Sequence, residues 1–231
     1  MKLTDLNTVA FIVQEAARQE VLTRMEAHQR FNPGWEVGEV ALHYAIRNGL
    51  LTYFQKWPEP KPRIAIEYSD ISNIELPPEY KRHPVDLAIL HPLAVVTEPY
   101  PKEGYAWANE NKAVLGLIEV KKNWWTAPPG GFAKDVKWLA EVGDLPPKPH
   151  MRELEWVMLV LFLAGPTKET VDKQGKDVES TVACWAFQAL TQSNPSEAPS
   201  HPGTANVDDR WFEVMCFGRS ARDARECEVR G

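Results

Sequence analysis

Ala113-Val114-Leu115-Gly116-Leu117-Ile118-Glu119-Val120-Lys121 is an apolar, strand-type run that closes on a carboxylate and an ammonium group. Alternate residues of a strand share a face, so Glu119 and Lys121 reach the same space. Charged groups at the end of a buried strand need a partner, a metal or a task, because desolvating them alone is expensive. Upstream, Pro84-Val85-Asp86-Leu87-Ala88-Ile89-Leu90 is a second apolar run with an acid near its start. Two carboxylates and a lysine on neighbouring strands are the parts of a metal-dependent phosphodiesterase site. A hard cation such as Mg2+ (or Mn2+) takes carboxylate and water oxygens. It activates bound water and neutralises charge on a scissile phosphate. Asp86 and Glu119 are the expected ligands, with the Val120 carbonyl as a third. Lys121 would orient the attacking water or stabilise the phosphorane, and a bound metal would depress its pKa.

The short form of the motif recurs in Glu79-Tyr80-Lys81, Glu110-Asn111-Lys112 and Asp135-Val136-Lys137. Context separates the copies. The first two fall in loop-type sequence beside prolines or polar residues. The third falls in a predicted helix, where positions i and i+2 point apart. Only Glu119 and Lys121 sit on a strand. The competing reading of that pair is an exposed ion pair, and that of Asp86 is a turn-capping aspartate at a strand start.

Working outward, apolar residues at helical spacing predict a helix over 5–29, broken by Asn32-Pro33-Gly34, and a second from about Glu36 to Phe54. Strands are expected at 63–68, 85–90 and 113–121, and these three could form an antiparallel set. A helix over 132–141 and a long strand over 155–164 follow. Residues 166–179 read as helix or loop. Strands near 181–190 and 211–217 close the domain, and the Ser/Pro/Asn-rich stretch 191–209 between them reads as a mobile loop. The expected fold class is therefore α/β, a central mixed sheet flanked by helices. The expected organisation is one domain over 1–218, with an N-terminal helical extension 1–31 and a charged, flexible tail 219–231.

Pro84-Val85-Asp86 and Glu119-Val120-Lys121, preceded by a helix bearing Glu39, resemble the PD-(D/E)XK, or restriction-endonuclease-like, nuclease superfamily. The resemblance covers about residues 36–165. It implies an αβββαβ core, a Mg2+- or Mn2+-dependent nuclease, and nucleic acid as partner, DNA ahead of RNA. It departs from the pattern where Val85 separates Pro84 from Asp86. In the family an acid on the helix before the strands often helps bind metal or water. Glu39 fits that place, on a stripe with Leu42, Ile46 and Leu50, and the other reading is a partly exposed helix glutamate. Many relatives act as dimers, so a homodimer is a possible assembly. A catalytically inactive scaffold that binds nucleic acid or protein is the alternative function.

Other residues carry weaker signals. Lys122, Lys134 and Lys137 are candidates for phosphate contact, against a solvated helix face for the last two. Trp124 and Trp125 are candidates for base stacking, against a place in the core. His43 and His91 could be ligands or bases, although lone histidines are more often surface or satisfied core groups. Glu67 is a further acid at the site's edge. The chain has 231 residues, a formal net charge of −6 and 44% hydrophobic residues, enough for one sizeable core. The acidic balance argues against a general nucleic-acid coat. A local basic bias between Lys112 and Arg152 remains, with Lys121, Lys122, Lys134, Lys137 and Lys148 against Glu119, Asp135, Glu141 and Asp144. No apolar run approaches the ~18 residues of a membrane helix. Three scattered cysteines support neither a disulfide framework nor a zinc site, and a reducing cytoplasm is the expected compartment. Neither a GxSxG nor an HExxH segment occurs, and Pro128-Pro129-Gly130-Gly131 lacks the lysine of a phosphate-binding loop.

Overall fold

A computed structural model describes residues 6–27, 37–59, 61–68, 71, 74–78, 80, 84–91, 114–122, 131–148, 154–192, 195–197 and 211–221. Over these the protein is α/β, a mixed sheet of seven strands with four helices. In chain order they are α1 (Leu6–Ala27), α2 (Glu39–Phe54), β1 (Arg63–Tyr68), β2 (Val85–Leu90), β3 (Val114–Lys122), α3 (Gly131–Asp144), β4 (Trp156–Gly165), α4 (Lys168–Ala183), β5 (Gln188–Ala189), β6 (Ser196–Glu197) and β7 (Trp211–Ser220).

The spatial order is β1-β2-β3-β4-β7-β5, with β6 also on β7. Both β1–β2 and β2–β3 are antiparallel, as expected. β3 and β4 are parallel and joined through α3, and β7 returns antiparallel to β4 along ten residue pairs. The central strands are buried on both faces: β4 is buried at every position and β3 from Val114 to Val120. That is why their sequences are apolar without alternation.

Two cores result, one on each face of the sheet. On the first, α1 and α2 lie over Leu87, Ile89, Ile118, Val120, Val160 and Phe162. Val9, Val13, Ala17 and Val21 of α1 recur every fourth residue and are fully buried, so this helix forms part of the main core. Gly49 allows α1 and α2 to meet closely: a Cβ there would lie 2.6 Å from the Ala16 Cβ. On the second face, α3 and α4 cover Ala88, Leu117, Leu159, Leu161 and Met215.

Three expectations change. Residues 181–190 are not one strand: α4 continues to Ala183, a turn follows, and β5 holds only Gln188 and Ala189. Val171, Val178 and Val182 are buried at helical spacing, and the Thr167 hydroxyl accepts a bond from the Thr170 amide (3.1 Å) to cap the helix. This also resolves 166–179 as helix. Within 191–209, Ser196 and Glu197 pair with β7. At the other end, β7 reaches Ser220, and Arg219, expected in a flexible tail, is buried. Arg219 pairs with Asp144 and donates to the Trp185 and Ala140 carbonyls.

Candidate metal centre

The site forms where β2 begins and β3 ends. The register pairs Leu87 with Ile118, so Asp86 and Glu119 are the next residues on the two strands and project from one face. Asp86 Oδ2 accepts the Val120 amide at 2.7 Å, which fixes the carboxylate across the strand gap. The Val120 amide thus holds Asp86 in place, and the carbonyl of the same residue faces the same side of the strand.

α2 adds two more groups. It starts after Gly38 and places Glu39 in its first turn, where the helix dipole favours a carboxylate. His43 follows one turn later on the same stripe and is buried, 4% exposed. Its Nε2 lies 3.5 Å from Asp86 Oδ1. Glu39, His43 and Asp86 each offer a ligand atom, and these atoms lie within 4.8 Å of one another.

Lys121 occupies the other half of the site. Its Nζ lies 2.7 Å from Glu119 Oε1, 3.5 Å from Asp135 Oδ2 and 3.9 Å from Glu39 Oε1. Asp135 comes from α3, so the ammonium group is reached from both faces of the sheet. Burial works to lower the Lys121 pKa, but Glu119, Asp86 and Asp135 outweigh it and hold the group well above its usual value. Without a cation, Lys121 is therefore protonated.

Burial governs the acids. It pushes Glu119 up to about 8, with the Asp86 charge adding to the effect and Lys121 opposing it. Burial also raises Asp86 against the pull of the Val120 amide, and raises Glu39 against the pull of Lys121. His43 is lowered by burial, with Asp86 and Glu67 opposing, so the imidazole is neutral near pH 7 and keeps a lone pair.

Three atoms test whether these residues suit a cation. Glu119 Oε2 and both ring nitrogens of His43 are buried without a hydrogen-bond partner. Buried polar atoms are normally satisfied. An imidazole lone pair and a carboxylate oxygen left over beside two further carboxylates are what a divalent ion would satisfy.

Of the residues expected at the site, Asp86, Glu119, Lys121 and Glu39 therefore converge. Lys122 ends β3, half-buried, opposite Phe162. Lys134 and Lys137 are exposed on α3, and Lys137 lies 3.5 Å from Glu141. Trp124 and Trp125 lie outside the described residues. Glu67 sits at the site's margin in a left-handed backbone conformation, φ 50°. His91 lies at the far end of β2.

His43 and Asp135 had stronger signals than the sequence reading gave them. His43 is four residues past Glu39, on the same helical face. Asp135 falls on the apolar stripe of Phe132, Val136 and Leu139, three residues after Phe132. A carboxylate on such a stripe was already the argument for Glu39.

Comparison with family models, with curated proteins and with solved structures found no match to this chain. Among the described residues, no helix is long and apolar enough to cross a membrane.

Proposed function

We propose that this protein is a divalent-metal-dependent nuclease of the restriction-endonuclease-like kind, hydrolysing phosphodiester bonds in DNA ahead of RNA. The observation that carries the reading is the meeting of Glu39, His43 and Asp86 within 4.8 Å, beside the buried Glu119–Lys121 pair. The element order α2-β1-β2-β3-α3-β4 supports it, since it follows the αβββαβ order of that superfamily.

Asp86, Glu39 and His43 would hold Mg2+ or Mn2+, with the free Oε2 of Glu119 adjacent. When bound, the cation supplies a water of lowered pKa and offsets phosphate charge. Lys121 is protonated, so its role is to donate: to the attacking water, or to a phosphate oxygen as charge builds there. It does not serve as the general base in this state. His43, neutral and buried, contributes a lone pair. The apolar walls on either side of β3 lower the local dielectric around the buried Glu119 and strengthen its contact with Lys121.

A second reading is a catalytically inactive scaffold that binds nucleic acid or a protein. It is favoured by Lys121 being closed onto carboxylates and by the net charge of −6. Both readings suit a reducing cytoplasm, where the thiols of Cys184 and Cys216 would stay free. A homodimer would place two such sites on two strands of a duplex.

The test is cleavage of supercoiled plasmid and of a single-stranded oligonucleotide with Mg2+ or Mn2+, for the parent, Asp86→Asn and Lys121→Ala. Metal-dependent cutting that Asp86→Asn abolishes and that Lys121→Ala reduces to a measurable residual level supports the nuclease. Mn2+ binding that depends on Asp86, without cutting of either substrate, favours the scaffold. Cutting unchanged in Asp86→Asn overturns the site.

A further inference from the structure

Lys121 has four methylenes and three rotatable N–H donors, and a single partner does not fix it. Two of the carboxylates around it, Glu119 and Glu39, stand beside the atoms that would hold a cation. A divalent ion would draw on their charge and repel the ammonium group. Asp135 differs from both. It reaches in from α3, on the opposite side of the sheet from α2, and lies outside the Glu39–His43–Asp86 group. Its carboxylate is 43% exposed and remains in contact with water.

We propose that Asp135 is the positioning residue for Lys121: it keeps the ammonium aimed into the site once a cation has engaged the neighbouring carboxylates. Glu119 sits at the base of the lysine and Asp135 at its side, 2.7 Å and 3.5 Å from Nζ. The ammonium is thereby held between two carboxylates, and an N–H remains for water or a phosphate oxygen. The location explains a feature the strand motif alone does not. An acid on the helix after β3 is out of place for gripping a polyanion, but it suits holding a lysine that must stay still. This inference rests on the cation reading of the same site.

The test follows the Lys121 ammonium directly. Side-chain NH3+ NMR of the full chain, with Mg2+ as the added ion, is recorded for the parent, Asp135→Asn and Asp135→Glu, with Lys121→Met to assign the signal. The parent is expected to show an exchange-protected Lys121 signal with and without Mg2+. Asp135→Asn is expected to lose it when Mg2+ is added, and Asp135→Glu to restore it. A Lys121 signal that survives Asp135→Asn in saturating Mg2+ overturns the proposal and leaves the metal site standing. Absence of Mg2+ and Mn2+ binding in a calorimetric titration of the parent overturns both. Cleavage provides a second cycle. Asp135→Asn should slow turnover about tenfold in the parent, a size typical of groups that support a metal site, and change nothing further in Lys121→Met. Equal losses in both backgrounds would mean that Asp135 acts independently of Lys121, and would overturn the proposal.

Discussion

His43 Nε2 stands 3.5 Å from Asp86 Oδ1, joining the first helix turn after Glu39 to the start of β2. This contact ties the helical layer to the strand pair beside the unpartnered buried atoms of His43 and Glu119. An imidazole among carboxylates suits transition ions better than Mg2+, which favours oxygen ligands. His43→Ala is therefore expected to weaken Mn2+ binding by roughly 10–100-fold, as for other groups that support a metal site, and Mg2+ binding by less. Calorimetric titration with each ion measures the difference, and equal losses for both ions would remove His43 from the ligand set.

Glu119 predicts how stability responds to pH. Its folded pKa, about 8, lies above the ordinary glutamate value of 4.5. Between these values the folded state holds a proton that the unfolded state has released. Stability from this group is therefore greatest below pH 4.5, falls as pH rises to about 8, and is flat beyond. Urea denaturation at intervals from pH 5 to 9 should show Glu119→Gln with a shallower decline than the parent. Saturating Mn2+ should flatten the parent's decline as well, since an ion that binds the carboxylate favours its charged form. A parent and a Glu119→Gln variant with parallel profiles would refute this.

Glu67 holds φ 50° in the middle of β1, opposite Asp86 on the edge of the sheet. The kink changes the phase of the strand: Ile66 packs toward the α1/α2 face, and Tyr68 is buried on the other. A side chain in that conformation costs about 1–2 kcal/mol, and glycine carries no such penalty. Glu67 already carries that cost, and Glu67→Val should destabilise the protein further, despite valine's preference for strands, because a β-branched residue fits φ > 0 worst. Glu67→Gly should leave stability within about 0.5 kcal/mol, its flexibility offsetting the relief of strain. Chemical denaturation decides this, and the reverse order of the two variants would contradict it.

Gly116 is required by a close approach. A Cβ at this position would run into the indole of Trp156, its parallel partner on β4. Gly116→Ala is expected to cost about 1–3 kcal/mol, the usual range for overpacking a dense core. Pairing it with Trp156→Phe should recover part of the loss, because the smaller ring vacates space. The two changes should be non-additive in a thermal-denaturation cycle.

Much of the architecture was legible where one element's own pattern sufficed. Val9, Val13 and Ala17 mark α1, and the apolar runs of β2, β3 and β4 carry their own length and burial. Asp86, Glu119 and Lys121 were legible because strand periodicity places them on one face. The reading failed where apolar residues fit two periods. Val182, Trp185 and Phe187 resemble a strand, yet Val171, Val178 and Val182 form the helical stripe that prevailed. His43, Asp135 and Arg219 were read too weakly for a different reason. Their significance comes from partners on other elements, Asp86, Lys121 and Asp144, and no local pattern announces those meetings.

The outer edge of β7 is shielded by its short partners, β5 and β6. Between them, the Gln14 amide donates to the Val214 carbonyl and the Thr191 hydroxyl accepts from the Cys216 amide. At the opposite margin, the left-handed turn of Glu67 disrupts the straight hydrogen-bonding ribbon that a docking chain would need. Among the described residues both borders are interrupted, so fibrillar growth along them is disfavoured.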